Sequence, residues 1–361
     1  MMDHFSGHPV VTAEHVTAFV QSRDPLTQLV KPPHSELIFL HTVPNTTDAT
    51  PWLIHIELPV NLFMPMVWQG KTANLKLRSL PVYWLVRYML EQPECRGVFT
   101  HLKQTADCLG PLFESETIAA KTHYIPLGVA VTPEQEAEIE RAIAGRSQDE
   151  VTVLFTNSFH QLPDNFVLRG GVDVVTAFIA ASRRAENLRL ILRTSLPDML
   201  GPNLRQIIAT HPKIEFVPDK ISDEELLKLY CRSQIFVLPS AALHALSVAR
   251  AMHCGVVCIA SDAPGFEEYI TDEATGFRLE GRRAAIYSEE PETGWLRDDY
   301  SAMFKPNAEF SARLAMLLTR LAQSEPLRRE IGMNARGWAR EHLTQTGWSA
   351  GFAQLLAQIG R

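Results

Sequence analysis

The chain has 361 residues, a length that suits two domains. It is 46% hydrophobic and 21% charged, which permits sizeable cores and excludes a disordered chain. A formal net charge of −7 speaks against a nucleic-acid partner, which asks for a basic face, and no apolar run approaches the roughly 18 residues that cross a bilayer. The N-terminus has no basic stretch leading into an apolar one, so no signal peptide is expected and the location implied is cytoplasmic. Five scattered cysteines give no disulfide framework, and Cys254 and Cys258 beside Val256-Val257 read as small buried hydrophobes. The thirteen histidines show no zinc spacing. His4 and His8 form the one terminal pair that could meet a metal.

The first 35 residues are weakly patterned and close on Lys31-Pro-Pro-His34, an entry to structure. Apolar runs of the kind found in buried parallel strands follow at 36–41, 51–57, 97–101 and 123–128, with helical spacing at 80–90 between the second and third. Thr132-Pro-Glu opens a solvated helix over 134–144. Residues 145–150 read as a linker. A second series then begins: strand 151–155, helix 171–185, strand 188–192 and strand 214–217. Ser222 caps a helix with early acids. Strand 234–238, an Ala/Leu-rich helix following Pro239-Ser240 with His244 in its first turn, and strand 256–260 complete the alternation, 281–306 is irregular, and helices close the chain. Strands alternating with helices predict an α/β fold of two Rossmann-like, doubly wound domains facing each other across a cleft. The domain reading is 1–130, 131–340, and a C-terminal helix in 341–361 packing back on the first domain. Ligands of such folds bind at the carboxyl ends of the strands, where helix N-termini favour phosphate.

Several ordered pieces, Ile125-Pro-Leu-Gly-Val129, the run 168–178, "ISDEELLKLYCRSQIFVLPS" and "RAMHCGVVCIASDAPGFEEYITDEATGF", resemble the donor-binding domain of GT-B fold glycosyltransferases. The likeness, over about 120–345, is to the large retaining group called family four. It implies transfer of a sugar from a nucleotide-diphosphate sugar to an acceptor hydroxyl with retention, without metal or cofactor. Arg169 falls on the family's diphosphate-binding Lys, and a planar guanidinium can keep that chemistry. Gly170 and Gly171 would let backbone approach phosphate, or simply shape a turn. A preceding cation of the family falls near Asn157-Ser158, so it is missing here or supplied elsewhere.

The family's Glu-x7-Glu pair, one supporting the sugar and one holding ribose, is Ala242 and Arg250 here. Arginine has donors only, so Arg250 would hold a phosphate or carboxylate, or pair with an acid such as Glu268. Ser240 and His244 lie where they can face the diphosphate. Glu268, with exposed neighbour Glu267, falls on the family's acid near the donor. Asp262 ends a strand at the ligand-prone edge, or caps the next turn. In the first half, Glu57 takes the place of the family's near-catalytic His. A carboxylate in so apolar a run is costly unless paired or functional. His41 and His55 are secondary candidates.

The expected partners are the nucleotide-sugar and a carbohydrate, lipid-linked or other hydroxyl acceptor. The apolar stretches 58–70 and 80–90 serve a core, an acceptor groove or a peripheral contact with the inner membrane face, and the shortened first half leaves a homo- or hetero-oligomer open. Two rivals stand beside the transferase: a non-catalytic scaffold that binds a nucleotide-sugar or a partner glycosyltransferase, and another nucleotide-sugar enzyme such as an epimerase.

Overall fold

The computed structural model describes residues 36–44, 50–147, 149–157 and 163–359, so the metal reading at His4 and His8, and Ser158, lie outside the described residues. The chain divides into two compact units. Unit 1 comprises 1–126, 287–299 and 350–361, and unit 2 comprises 127–286 and 300–349.

Unit 1 is built on a four-stranded sheet in the order β1 (Ile38–His41), β2 (Trp52–His55), β3 (Cys95–Thr100) and β4 (Thr122–Tyr124), with every neighbouring pair parallel. Helices α1 (Pro81–Glu91), α2 (Lys103–Phe113) and α3 (Glu116–Lys121) connect these strands. Trp52, Ile54, Phe63, Tyr83, Val86 and Phe113 belong to one buried cluster, so stretches 58–70 and 80–90 do supply core. They do not bury everything, because Met66, Trp68, Trp84, Leu85 and Tyr88 stay exposed. Two strands are shorter than the sequence suggests. β4 ends at Tyr124, where Pro126 soon removes a ladder donor. β2 ends at His55, which leaves Glu57 exposed beyond the strand. Glu57 thus sits just past the carboxyl end of a buried strand, but it is exposed where a buried carboxylate was expected.

The region expected to be irregular contains an antiparallel hairpin, Tyr287–Glu289 with Leu296–Asp298. The Thr72 hydroxyl donates to Asp298, 2.5 Å away, and ties the hairpin to unit 1. From the last helix, Gln345–Ile359, Phe352 sets its ring against Phe39 and Phe99.

Unit 2 opens with α4 (Pro133–Gly145), capped by Thr132. Its sheet comprises β5 (Val151–Thr156), β6 (Leu188–Arg193), β7 (Ile214–Val217), β8 (Ile235–Leu238), β9 (Val257–Ser261) and β10 (Gly276–Leu279), with α5 (Gly171–Ser182), α6 (Pro202–Thr210), α7 (Asp223–Arg232) and α8 (Ala245–His253) between strands. The order across the sheet is β10-β9-β8-β5-β6-β7, all parallel. Every residue of β5, β8 and β9 is buried, as expected for strands covered on both faces. Ser222 caps α7 in a capping box with Glu225. The supposed linker is packed: Arg146 donates to the carbonyls of Cys254 and Gly255 at 2.5 and 2.7 Å. Helices α9 (Ala308–Gln323) and α10 (Glu325–His342) follow the sheet. All five cysteines are buried.

Strand order reverses between β5 and β8. A doubly wound sheet opens its ligand crevice at such a reversal, outside the carboxyl ends of the strands.

Candidate functional site

At that reversal the loop after β5 meets the loop after β8. The Ala241 N–H donates to the Leu168 carbonyl at 2.8 Å, and the Ser240 hydroxyl donates to the same oxygen at 3.3 Å. Ser240 also accepts the Ala242 N–H, and its carbonyl takes the Ser261 hydroxyl at 2.6 Å. Its side chain is therefore a brace between loops. Gly170, at φ +79°, is where they come closest: a Cβ there would stand 2.5 Å from the Pro239 carbonyl oxygen. At Gly171 a Cβ would meet the Phe166 ring at 2.2 Å. Contact within the protein accounts for both glycines.

Arg169 follows a short helix, Asn165–Leu168, and is only 4% exposed. Its Nη1 donates to the Thr156 carbonyl and its Nη2 to Nδ1 of His244, both at 3.2 Å. A guanidinium offers only donors, so His244 accepts at Nδ1 and carries its proton on Nε2. Burial, and then the charge of Arg169, hold this imidazole well below its usual pKa. Burial also lowers Arg169 to about 10, with Arg193 adding to the fall, which leaves it charged at neutral pH.

His244 starts α8, and its side chain makes no capping hydrogen bond. A helix start, where backbone N–H groups lack helical partners, with a buried cation beside it is the kind of arrangement that favours an anion.

Arg193 is the residue the sequence reading missed. It ends β6, is buried, and donates from Nη1 to the Asn157 carbonyl. It stands near enough to Arg169 to depress its pKa, and so supplies a second cation from the next strand. A charged residue closing an apolar strand was the available signal. Tyr230 is buried near these groups, and burial pushes its hydroxyl to about 12. The Asn157 amide is buried and makes no side-chain hydrogen bond among the described residues.

The remaining candidates are more dispersed. Arg250 pairs with Asp223 at 3.3 Å, not with Glu268, and Asp223 is 84% exposed. Asp262 accepts the backbone N–H groups of Gly281, Arg282 and Arg283 at 2.7–2.9 Å. That caps the short helix Arg282–Ile286 and occupies both carboxylate oxygens. Glu268 is half-buried in a turn, and Glu267 is exposed and bridges to Arg283 at 3.3 Å.

In unit 1, Glu57 reaches solvent, yet enough protein surrounds it that desolvation raises its carboxyl pKa. His41 and His55 bond to each other, and His55 also bonds to His101. Among the described residues no His, Cys, Asp and Glu cluster could hold a metal, and no helix is long and apolar enough to cross a membrane.

These features define an α/β protein of the GT-B fold class, and known proteins agree. Residues 165–290, which include Arg169, His244, Arg250 and Glu268, match the family model for Glycosyl transferases group 1. HepE of Anabaena, solved with UDP and glucose, is similar at a TM-score of 0.57 and 13% identity, over 89% of this chain and 77% of that one. The sucrose-phosphate synthase of Thermosynechococcus elongatus is similar at 0.55 and 18% identity, over 89% and 73%. The pneumococcal O-GlcNAc transferase GtfA, solved with UDP and GlcNAc, is similar at 0.58 and 13% identity, over 86% of this chain and 53% of that longer one. At these identities the likeness establishes the fold. No curated protein matches the chain.

Proposed function

We propose that the protein is a glycosyltransferase that moves a sugar from a nucleotide-diphosphate sugar to a carbohydrate or other hydroxyl acceptor. The observation that carries this is the Arg169–His244 contact at the open start of α8. Charge grows on the diphosphate as the sugar leaves. Arg169, the Nε2–H of His244 and the helix N–H groups are donors already in place for it. With Arg193 as a second cation, arginines do what a divalent metal does elsewhere, so transfer is metal-independent. The retaining outcome follows the family resemblance. Glu268 is assigned to steadying positive character at the anomeric carbon, and Glu57 is kept as the carboxylate candidate of unit 1.

The test is nucleoside-diphosphate release from a panel of UDP-, GDP- and ADP-sugars, with UDP-sugars first because HepE and GtfA were solved with UDP. Arg169→Ala is expected to weaken nucleotide binding by about 1.5–3 kcal/mol, the worth of hydrogen bonds to a charged group, or roughly 10- to 150-fold by calorimetry. Unchanged affinity in a folded variant removes Arg169 from the site. A second reading, a scaffold that binds a nucleotide-sugar without turnover, is favoured by Ala242 and Arg250 standing where the family's carboxylates would be. It predicts saturable binding and no release with any acceptor.

A peripheral membrane contact is part of the proposal. α1 presents Trp84 and Tyr88, 54% and 62% exposed; the Trp84 indole donates to the Arg78 carbonyl at 3.0 Å, and Arg87 lies 5.7 Å from its ring. Exposed aromatic side chains with arginines beside them suit a bilayer surface. Co-sedimentation with phosphatidylserine vesicles is expected, weakened about tenfold or more in Trp84→Glu/Tyr88→Glu. No binding to vesicles at low salt rules the contact out.

A further inference from the structure

Two cysteines stand at matching places in unit 2. Cys231 lies in the last turn of α7, and Cys254 directly follows α8. The strands that come next, β8 and β9, are parallel neighbours: Ile235 pairs with Val257, and the Val257 N–H donates to the Gln234 carbonyl at 3.0 Å. Each cysteine comes three residues before one member of that bonded pair, Cys231 before Gln234 and Cys254 before Val257. One guanidinium joins the two places. Arg146 donates from Nε to the Cys231 carbonyl at 3.4 Å and from Nη2 to the Cys254 carbonyl at 2.5 Å. Both backbone segments therefore meet at a single side chain.

The two thiols lie close enough that each is the leading influence on the other. The Cys254 thiol, with Arg146 and Arg336 adding, holds Cys231 below the usual thiol pKa, while the Cys231 thiol and then burial push Cys254 well above it. Burial raises the remaining three, Cys95 and Cys108 to about 12 and Cys258 likewise upward. Of the five cysteines, Cys231 alone is shifted toward the thiolate, the form that attacks an oxidant.

Access separates the pair as well. Cys231 is 5% exposed and lines a cavity of about 1090 Å³ together with Arg141 and Arg146, whereas Cys254 is 1% exposed and does not line it. Arg146 is bonded there to carbonyls, so no carboxylate neutralises it beside the sulfur. A reachable cysteine next to a cation, with a second thiol behind it, is the setting in which one sulfur is oxidised and the other resolves it.

We propose that Cys231 and Cys254 are an oxidation site that closes to a disulfide when the chain meets a hydroperoxide. Cys231 gives up its proton, and its sulfur bonds to one oxygen of hydrogen peroxide. The O–O bond breaks, and the hydroxide that leaves takes up that proton as water. The Cys254 sulfur then bonds to the Cys231 sulfur of the sulfenic acid. The S–O bond breaks, and the hydroxyl leaves as a second water with the proton of Cys254. Two electrons pass from the thiols to the peroxide. The bond clasps the end of α7 to the end of α8, at the far end of α8 from His244. No step depends on sugar transfer.

The experiment treats the full chain, folded and reduced, with hydrogen peroxide, then unfolds it, blocks the remaining thiols with N-ethylmaleimide and counts them by mass spectrometry. Blocked thiols are expected to fall from five to three, in a product that runs as a single chain on a non-reducing gel. Tryptic digestion is expected to give 229–232 joined to 251–278, with fragmentation placing the bond at Cys254 and not at Cys258. Dithiothreitol is expected to restore all five thiols. Cys254→Ser removes the resolving sulfur, so dimedone should capture Cys231 as its sulfenic acid. Five thiols surviving peroxide, a bond to another cysteine or between two chains, or Cys231 carried to a sulfinic acid beside an intact Cys254 thiol overturns the proposal. If Cys254→Ser does not fold, the wild-type count and peptide map decide it.

Discussion

Replacing Asp173 with alanine is expected to cost about 3–5 kcal/mol of stability, the penalty for removing one partner of a buried ion pair. Asp173 sits in the first turn of α5, and its carboxylate accepts from Arg282 and, at 2.9 Å, from the Ser311 hydroxyl. The two side chains are 11% and 3% exposed. The guanidinium also lies 4.1 Å from the centre of the Phe310 ring, so without the carboxylate it stays buried beside an apolar face. Denaturant unfolding measures the loss. Asp173→Asn should lose less, since an amide oxygen still accepts from Ser311. Asp173→Leu/Arg282→Leu should recover most of it, because an apolar pair of similar size often does as well as a buried ion pair. A loss below about 1 kcal/mol for Asp173→Ala would falsify the pair as a structural lock. Asp173 follows Gly171 by two residues, and Arg282 starts the helix capped by Asp262. The lock therefore holds the loop that carries Arg169.

That ion pair was not legible in the sequence, and the reason is physical. Its partners are 109 residues apart, and each alone reads as a surface charge. What the sequence did show was whatever local periodicity governs. Strands buried on both faces are near-continuous apolar runs, so β5, β8 and β9 were plain, as was the helix start at Ser222. Edges were less legible. β2 and β4 were drawn too long because an apolar run continues past the last ladder bond. The hairpin 287–298 was missed because its strands are only three residues each.

The site shows the same division. Arg169, Ser240 and His244 were found because each falls in or beside one of the recognisable motif pieces, and the structure brings them together. Asp262 turns out to satisfy three backbone donors, a role that depends on Arg282 returning to that strand end. Arg193 was overlooked although it follows the logic that singled out Glu57, a charge at the end of an apolar strand. The two differ in outcome: Arg193 is buried, and Glu57 reaches water. His41 and His55 were noticed singly. Cross-strand pairing makes them a row, since His41 pairs with His55 in register and His101 lies two residues beyond Phe99, the partner of His55 on β3.

Gly170→Val is expected to cost about 2–6 kcal/mol, and nucleotide affinity should fall further than the loss of folded protein explains. The magnitude combines a strained left-handed backbone, about 1–3 kcal/mol, with overpacking of about 1–3 kcal/mol. At φ +79° a branched side chain is poorly accommodated, and the new Cβ would stand 2.5 Å from the Pro239 oxygen and 2.7 Å from its ring. Neither neighbour can swing aside, since one is backbone and the other a closed ring. The loops must part instead, and they carry Arg169 on one side and the start of α8 on the other. The 3.2 Å Arg169–His244 contact should open with them, so the donors lose their preset aim at the diphosphate. Gly145→Ala is the control: a Cβ there meets nothing within 4 Å, and stability should hold or rise by up to about 1 kcal/mol. Thermal melts and calorimetry with nucleoside diphosphate on both variants check this. Wild-type affinity in a folded Gly170→Val would mean that the spacing of these loops does not set the anion site.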